Sequence, residues 1–331
     1  MTYSLIIPVF NRPDEVDELL ESLCTQTSRD FEVIIVEDGS TLRCAEVVAR
    51  YASRLDVHYY EKPNSGPGDT RNYGAARAQG AWYIVLDSDC VLPPGYIASI
   101  DEELQRRPSD AFGGPDRAHP SFTPMQKAIN YSMTSFFTTG GIRGGRKKLD
   151  KFYPRSFNMG VSAALWQRLG GFRAMRFGED IDFSIRIFES GASCRLFPES
   201  WVWHKRRTDL TKFFRQVHNS GMARIHLQIL HPGSLRLVHL LPMCFTLGVA
   251  GLCLLSLAMW TWYSLTLLLL YALLVGTDSA IRNGSLRIGL LSIAASYVQL
   301  TGYGIGFLRA WWNHYVLHRQ HQYAFQNTFY K

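Results

Sequence analysis

The chain has 331 residues, 47% of them hydrophobic and 19% charged, with 35 basic against 28 acidic side chains and a net charge of +7. That length allows one ordinary domain plus an appended region. So moderate a positive excess argues against a nucleic-acid partner and suits an anionic membrane surface or a phosphorylated ligand. The six cysteines, at 24, 44, 90, 194, 244 and 253, lack metal-type spacing and read as reduced, mostly buried residues rather than a disulfide framework.

In chain order, Ser4–Phe10 (SLIIPVF) predicts a first strand closed by Asn11-Arg12-Pro13. The run is short, interrupted by Pro8 and without a basic leader, so it does not read as a secretory signal, and the first 230 residues are expected in the cytoplasm. Val16, Leu19, Leu20 and Leu23 then recur at helical spacing, with Asn11 as the expected N-cap and Pro13 in the first turn beside Asp14 and Glu15. Phe31–Val36 predicts a second strand ending on Glu37-Asp38-Gly39-Ser40, and Asp56–Tyr60 a third. After the turn-forming stretch 63–68 (PNSGPG), a helix is expected over Asp69–Gln79, stopped by Gly80. Trp82–Leu86 is the fourth strand and ends in Asp87-Ser88-Asp89.

Strands alternating with helices predict an α/β domain with a mostly parallel sheet. FEVIIV, Glu32 apart, and WYIVL are apolar rather than alternating, as strands covered on both faces are. Ligands of such sheets bind beyond the carboxyl ends of the strands. Here Asn11-Arg12, Glu37-Asp38 and Asp87-Ser88-Asp89 all arrive at that edge. Two carboxylates two residues apart offer hard oxygen ligands to Mg²⁺ or Mn²⁺, and such an ion neutralises a departing diphosphate. An isolated D-x-D also suits a solvated turn; its place after a buried strand makes it informative.

From Leu237 to Thr277 no Lys, Arg, Asp or Glu occurs. A bilayer core takes about 20 apolar helical residues per crossing, so spans are expected at about 237–258 and 261–277, with a turn near Trp260–Tyr263. A second uncharged run between Arg287 and Arg309 gives a weaker candidate at 288–308, diluted by Ser292, Ser296, Gln299, Thr301 and glycines. Positive residues favour the cytoplasmic side, which suits Arg282 and Arg287 facing inward. A third full crossing would leave Arg309, Arg319 and Lys331 outside, so this segment either spans or lies in the interface or re-enters, with Trp311-Trp312 at the headgroups.

The series IIPVFNR, FEVIIVEDGS, GPGDTRNYGAARAQG, WYIVLDSD and FGEDIDFSIR, in that order over about residues 4–215, resembles the family 2 glycosyltransferases of the GT-A fold. The resemblance implies a GT-A catalytic domain, expected over 1–230, and the uncharged runs make 231–331 membrane-anchoring or interfacial helices with a basic tail. It implies that Pro8 and Phe10 wrap the nucleotide, that Asp38 meets the base, and that Arg71 and Asn72 make base-side contacts. Glu37 stands where many members carry Asp. Asp87, with Ser88, would face the ribose, and Asp89 the metal and diphosphate. His204 would join Asp89 on Mn²⁺ or Mg²⁺. Glu179-Asp180 matches the catalytic pair, with Asp180 as base ahead of its neighbour Asp182; a helix N-terminus alone would also favour these acids.

Asp116, within the stretches 111–116 and 158–160 that would build the acceptor cleft, is a candidate acceptor or sugar contact. Arg206 and Arg207, beside Lys205, could clamp phosphates or lie against anionic lipid. The basic stretch 143–155 could close over the donor or grip a lipid-linked pyrophosphate. Two departures bear on the acceptor. The Q-x-x-R-W of processive members is replaced by Phe214-Arg215-Gln216-Val217-His218, which favours one sugar per encounter. Cys90-Val91-Leu92-Pro93-Pro94 lacks the glutamine of polyprenyl-phosphate transferases.

The expectation is therefore inverting transfer of one sugar from a UDP- or GDP-sugar to a lipid-linked or envelope glycan at a membrane. A polyprenyl-phosphate acceptor is the alternative. A catalytically silent membrane subunit is the rival from another class, opposed by the joint presence of Asp38, Asp87, Asp89, Glu179 and Asp180.

Overall fold

The computed structural model describes residues 2–140 and 152–319. Contacts divide these into two compact units, one of residues 2–119 and 152–204, the other of 120–140 and 205–319. The expected boundary at 230 therefore lies inside the second unit. Of the basic stretch 143–155 only Phe152–Arg155 are among the described residues, and Lys331 lies outside them.

The first unit opens with β1 (Tyr3–Val9), α1 (Pro13–Cys24), β2 (Phe31–Asp38), α2 (Ala45–Ala49), β3 (Val57–Lys62), α3 (Pro67–Ala75), β4 (Trp82–Leu86), β5 (Cys90–Val91), α4 (Tyr96–Arg106), β6 (Ala111–Gly113) and β7 (Asp116–Arg117). The second unit then takes α5 (Pro124–Thr134) and α6 (Phe136–Thr139). The chain returns for β8 (Asn158–Ser162), α7 (Ala163–Leu169), α8 (Glu179–Glu189), β9 (Cys194–Leu196) and β10 (Val202–His204). It ends in the second unit with α9 (Leu210–Leu230), α10 (Leu241–Ala258), α11 (Thr266–Asn283) and α12 (Leu286–Trp311).

The main sheet has the order β3-β2-β1-β4-β8-β6-β9. β1 to β4 pair in parallel, with Ile6 opposite both Ile34 and Val85, while β8 runs antiparallel to β4 and β6. Alternate side chains of each strand enter separate cores: Leu5, Ile7, Val33 and Ile35 pack with Leu19, Leu23 and Ile100, whereas Ile6 and Val85 pack with Trp166, Phe183 and Ile187. Covering on both faces explains the mostly apolar runs.

Two local expectations change. Arg12, not Asn11, precedes α1 as its N-cap residue. Asn11 adopts a left-handed φ of 54°, and its side-chain oxygen accepts the amides of Thr41 and Leu42, both at 2.8 Å. Helix α3 starts earlier than expected, because Gly66 at φ 94° lets the chain turn directly into Pro67. It also ends sooner, at Ala75.

The second unit is built around α12, which packs on α9, α11, α5 and α10. Its glycines explain how. A Cβ at Gly306 would lie 2.0 Å from the His218 carbonyl, and one at Gly302 would lie 2.7 Å from Val217, both on α9. Gly304 faces α10 instead, where a Cβ would meet Thr246 at 2.1 Å. Small residues thus let three backbones approach closely, the device that membrane helices use. The feature that weakened 288–308 as an apolar span is what packs it.

Among the described residues, three helices are long and apolar enough to cross a membrane: Leu237–Ala258, Tyr263–Asn283 and Leu286–Val316. Their buried shares of 0%, 11% and 44% rank them from least to most packed against the rest of the protein. Helix α12 runs unbroken for 26 residues, about 39 Å at 1.5 Å per residue, so it does not turn back on itself.

Candidate active site

Asp87 and Asp89 leave the end of β4 just as the chain enters β5, where Cys90 pairs with His204 of β10 in a small sheet of order β5-β10-β7. That pairing sets the imidazole over the acids. His204 Nε2 lies 3.1 Å from Asp89 Oδ1 and 3.9 Å from Asp87 Oδ2. Phe157 stacks on the ring at 4.9 Å and fixes its plane. Arg12 reaches Asp89 Oδ2 at 2.6 Å.

Ligating atoms of Asp89, Cys90 and His204 all lie within 4.8 Å of one another. The Cys90 thiol is wholly buried and donates to the Phe157 carbonyl at 3.5 Å, and burial pushes its pKa well up. The remaining donors are carboxylate oxygen and imidazole nitrogen, a set that fits a divalent cation rather than a thiolate-selected metal.

The second acidic group stands at the start of α8. Gly178, at φ 81°, turns the chain into the helix and presents Glu179, Asp180 and Asp182 in the first turn. Arg71 of α3 is only 4% exposed and joins the two groups, holding Asp87 at 2.9 Å and Glu179 at 3.0 Å. Burial pushes the Glu179 carboxyl above its ordinary range; neighbouring Asp180 adds to this, and Arg71 opposes it.

Asp180 accepts the Ile181 amide at 2.8 Å on one oxygen and meets Arg155 at 2.8 Å on the other. Asp182 differs: its side chain is fully buried between Arg173 and Arg186, each at 2.9 Å. That is a structural ion-pair network.

Residues 4–169 match the family described as Glycosyl transferase family 2. The chain belongs to this family. It is 30% identical over 187 residues to an uncharacterized glycosyltransferase of Haemophilus influenzae, a match covering 56% of this chain and 62% of that protein, which is less than two thirds of the relative's length. The mannosyltransferase PcManGT from Pyrobaculum calidifontis, solved with GDP-Man and Mn²⁺, shares the fold with a TM-score of 0.64 at 18% identity, covering 92% of this chain and 86% of that one. S. aureus TarS 1-349 in complex with UDP-GlcNAc aligns with a TM-score of 0.50 at 17% identity, covering 93% and 92% of the two chains. The GT-A fold expectation is thereby met.

Other expected site residues fall as follows. Asp38 is 2% exposed at the end of β2. It accepts Lys62 Nζ at 2.7 Å and the amides of Ser65 and Gly66 at 2.8 and 2.9 Å, so it pins the turn that leads into α3. Asn72 uses both ends of its amide on Phe172, donating to the carbonyl at 2.7 Å and accepting the amide at 2.9 Å. It thereby anchors the loop before α8 to α3. Pro8 and Phe10 are partly exposed and Ser88 is buried. Asp116 sits half-buried on β7, beside Val202 of β10.

Glu37, Gly39, Ser40, Arg43, Glu61, Lys62 and Pro63 line a pocket of about 430 Å³ that none of the expected donor contacts enters. Arg206 and Arg207 belong to the helical unit, where Arg206 is buried and donates through Nε to Asn130 at 3.1 Å.

Sequence reading missed the cations that manage the acids: Arg12 on Asp89, Arg155 on Asp180, and the bridging role of Arg71. Arg12 follows the first strand and so was signalled by the edge rule. Nothing local to Arg155 pointed to Asp180.

Proposed function

We propose that this chain is an inverting, metal-dependent glycosyltransferase that moves one sugar from a UDP- or GDP-sugar to a lipid-linked or cell-envelope glycan acceptor at a membrane. One observation carries the proposal: a single buried guanidinium, Arg71, ties the D-x-D acid Asp87 to Glu179 of the pair that contains Asp180. Acids distant in sequence thereby share one neighbourhood.

Asp180 is assigned as the base that takes the acceptor hydroxyl proton as the oxygen attacks the sugar carbon from the face opposite the nucleoside diphosphate. A positioned base contributes about 10²–10⁴-fold in rate. Arg155 holds one Asp180 oxygen, so it yields that oxygen when the acceptor arrives. Glu179 and Arg71 keep the base level with the donor.

Asp89 and His204 would hold Mn²⁺ or Mg²⁺, which when bound supplies charge neutralisation for the departing diphosphate. Pro8, Phe10, Asp38, Arg71, Asn72, Asp87 and Ser88 are assigned to the nucleotide sugar, with Asp38 and Asn72 acting by fixing the turns around it. Asp116 is assigned to the acceptor or the sugar, and Arg206 and Arg207 to the helical unit. The proposal puts the catalytic unit on the cytoplasmic side, in keeping with Arg282 and Arg287 between the candidate spans.

Support comes from family membership and from two fold neighbours solved with GDP-Man and with UDP-GlcNAc. Thermal-shift screening of the full chain against UDP- and GDP-sugars, with and without Mn²⁺, tests the reading. One donor should stabilise the protein only with the metal, by about 2.7 kcal/mol at a hundredfold excess over Kd. Indifference to every donor and to the metal would overturn it.

A further inference from the structure

The insertion between β7 and β8 leaves the catalytic unit and carries α5 and α6 into the helical one. It holds no charged residue from Ala128 to Gly140. Its packed face lies with α9 and α12, through Ala128, Ile129, Met133, Phe213, Val217, Ile288 and Ala295. Its far end exposes two adjacent aromatic rings, Phe136 at 64% and Phe137 at 36%.

Three contacts give the depth of this end along the candidate spans. Tyr131 OH donates to Asp278 at 2.7 Å, and Asp278 is the first charge after the apolar run. The Phe137 carbonyl accepts Tyr271 OH at 3.2 Å. Tyr271 lies seven residues before Asp278, about 10 Å further into the run at 1.5 Å per residue. The Tyr271 ring in turn touches Phe245 at 5.4 Å and Tyr297 at 5.7 Å, interior positions of α10 and α12. The segment then climbs back: a Cβ on Gly140 would lie 3.8 Å from Val238, at the start of the first candidate span.

The polar groups follow the same logic. Ser132, Thr134, Thr138 and Thr139 each donate a hydroxyl to a nearby backbone carbonyl, and Ser135 accepts the Phe137 amide. Lipid offers no hydrogen-bond partners, so a segment entering it must satisfy its polar groups internally. A loop facing water has no such need.

We propose that the end of α5 and α6 dips into the hydrocarbon layer beside the spanning helices and seats Phe136 and Phe137 among lipid chains. The insertion is then a second membrane attachment, independent of the C-terminal spans in sequence; the inference rests on reading α10 to α12 as membrane helices.

The test is spin-label accessibility on the full chain in phosphatidylcholine nanodiscs, with Cys194, Cys244 and Cys253 replaced by serine. Labels go on Phe136→Cys, on Leu254→Cys in α10 and on Leu42→Cys in the first unit, at native positions exposed by 64%, 66% and 62%. The label at 136 should follow that at 254, with oxygen accessibility several-fold above that of a water-soluble nickel chelate. A label at 136 that behaves like the one at 42, or is shielded from both reagents by covering protein, overturns the dip while leaving the spans intact. Nickel access at 254 would overturn the spanning reading and the dip together.

Discussion

The acids at the end of β4 and those at the start of α8 are equally clustered, yet their charge is answered differently. Asp89 shares its two oxygens between an imidazole and one guanidinium, and Asp87 remains 31% exposed. In α8, Asp182 is walled in by two arginines, whereas Asp180 two residues earlier has one arginine and a backbone amide. Closeness to a motif therefore does not assign a role. The number of fixed cations on a carboxylate separates Asp182, held by two arginines, from Asp180, the proposed base, held by one.

The sharpest way to break that contrast is Asp180→Asn, which should cut turnover by about 10²–10⁴-fold while leaving melting temperature and donor affinity unchanged. Unchanged turnover, read as nucleoside diphosphate release, would remove the base assignment. Asp182→Asn should act oppositely. It strips a buried partner from Arg173 and Arg186, a loss of about 3 kcal/mol in urea unfolding, with near-normal turnover in the protein that remains folded. Full stability with lost turnover would exchange the two roles.

Arg71→Lys keeps the charge but cannot fork between two acids. Donor binding by calorimetry should weaken about tenfold, or about 1.4 kcal/mol, and unaltered affinity would separate the two acidic groups. The smallest effect is expected at Asn11→Gly, which removes an acceptor for two amides but relieves a left-handed φ. Unfolding should shift by no more than about 1 kcal/mol, with helix content by circular dichroism unchanged. A loss of helix would return Asn11 to the capping role.

Strands β1, β2 and β4 were legible because burial on both faces leaves mostly apolar runs, and β3, at the sheet edge, from its valine and paired tyrosines. Motif order pointed to Asp87, Asp89, Glu179, Asp180 and His204, and the structure brings His204 beside Asp89 and ties Asp87 to Glu179 through Arg71. The strands β5, β6, β7, β9 and β10 were not legible, since two or three residues carry no periodicity. The pairing of His204 with Cys90 exists only through that small sheet. Arginine partners were illegible for a related reason: Arg155 reaches Asp180 through tertiary register, which no local pattern encodes. The glycines of α12 were read as diluting an apolar helix, because their value appears only when α9 and α10 are in place.

Nucleoside diphosphate release measured across donor concentrations, for wild type, Asp89→Asn and Asp180→Asn with Mn²⁺, asks most directly whether the two acidic groups serve one reaction. The expected result is a raised donor KM and lost metal response for Asp89→Asn, against a lowered kcat at ordinary KM for Asp180→Asn. Wild-type kinetics in either variant would contradict the convergence of both groups on a single donor.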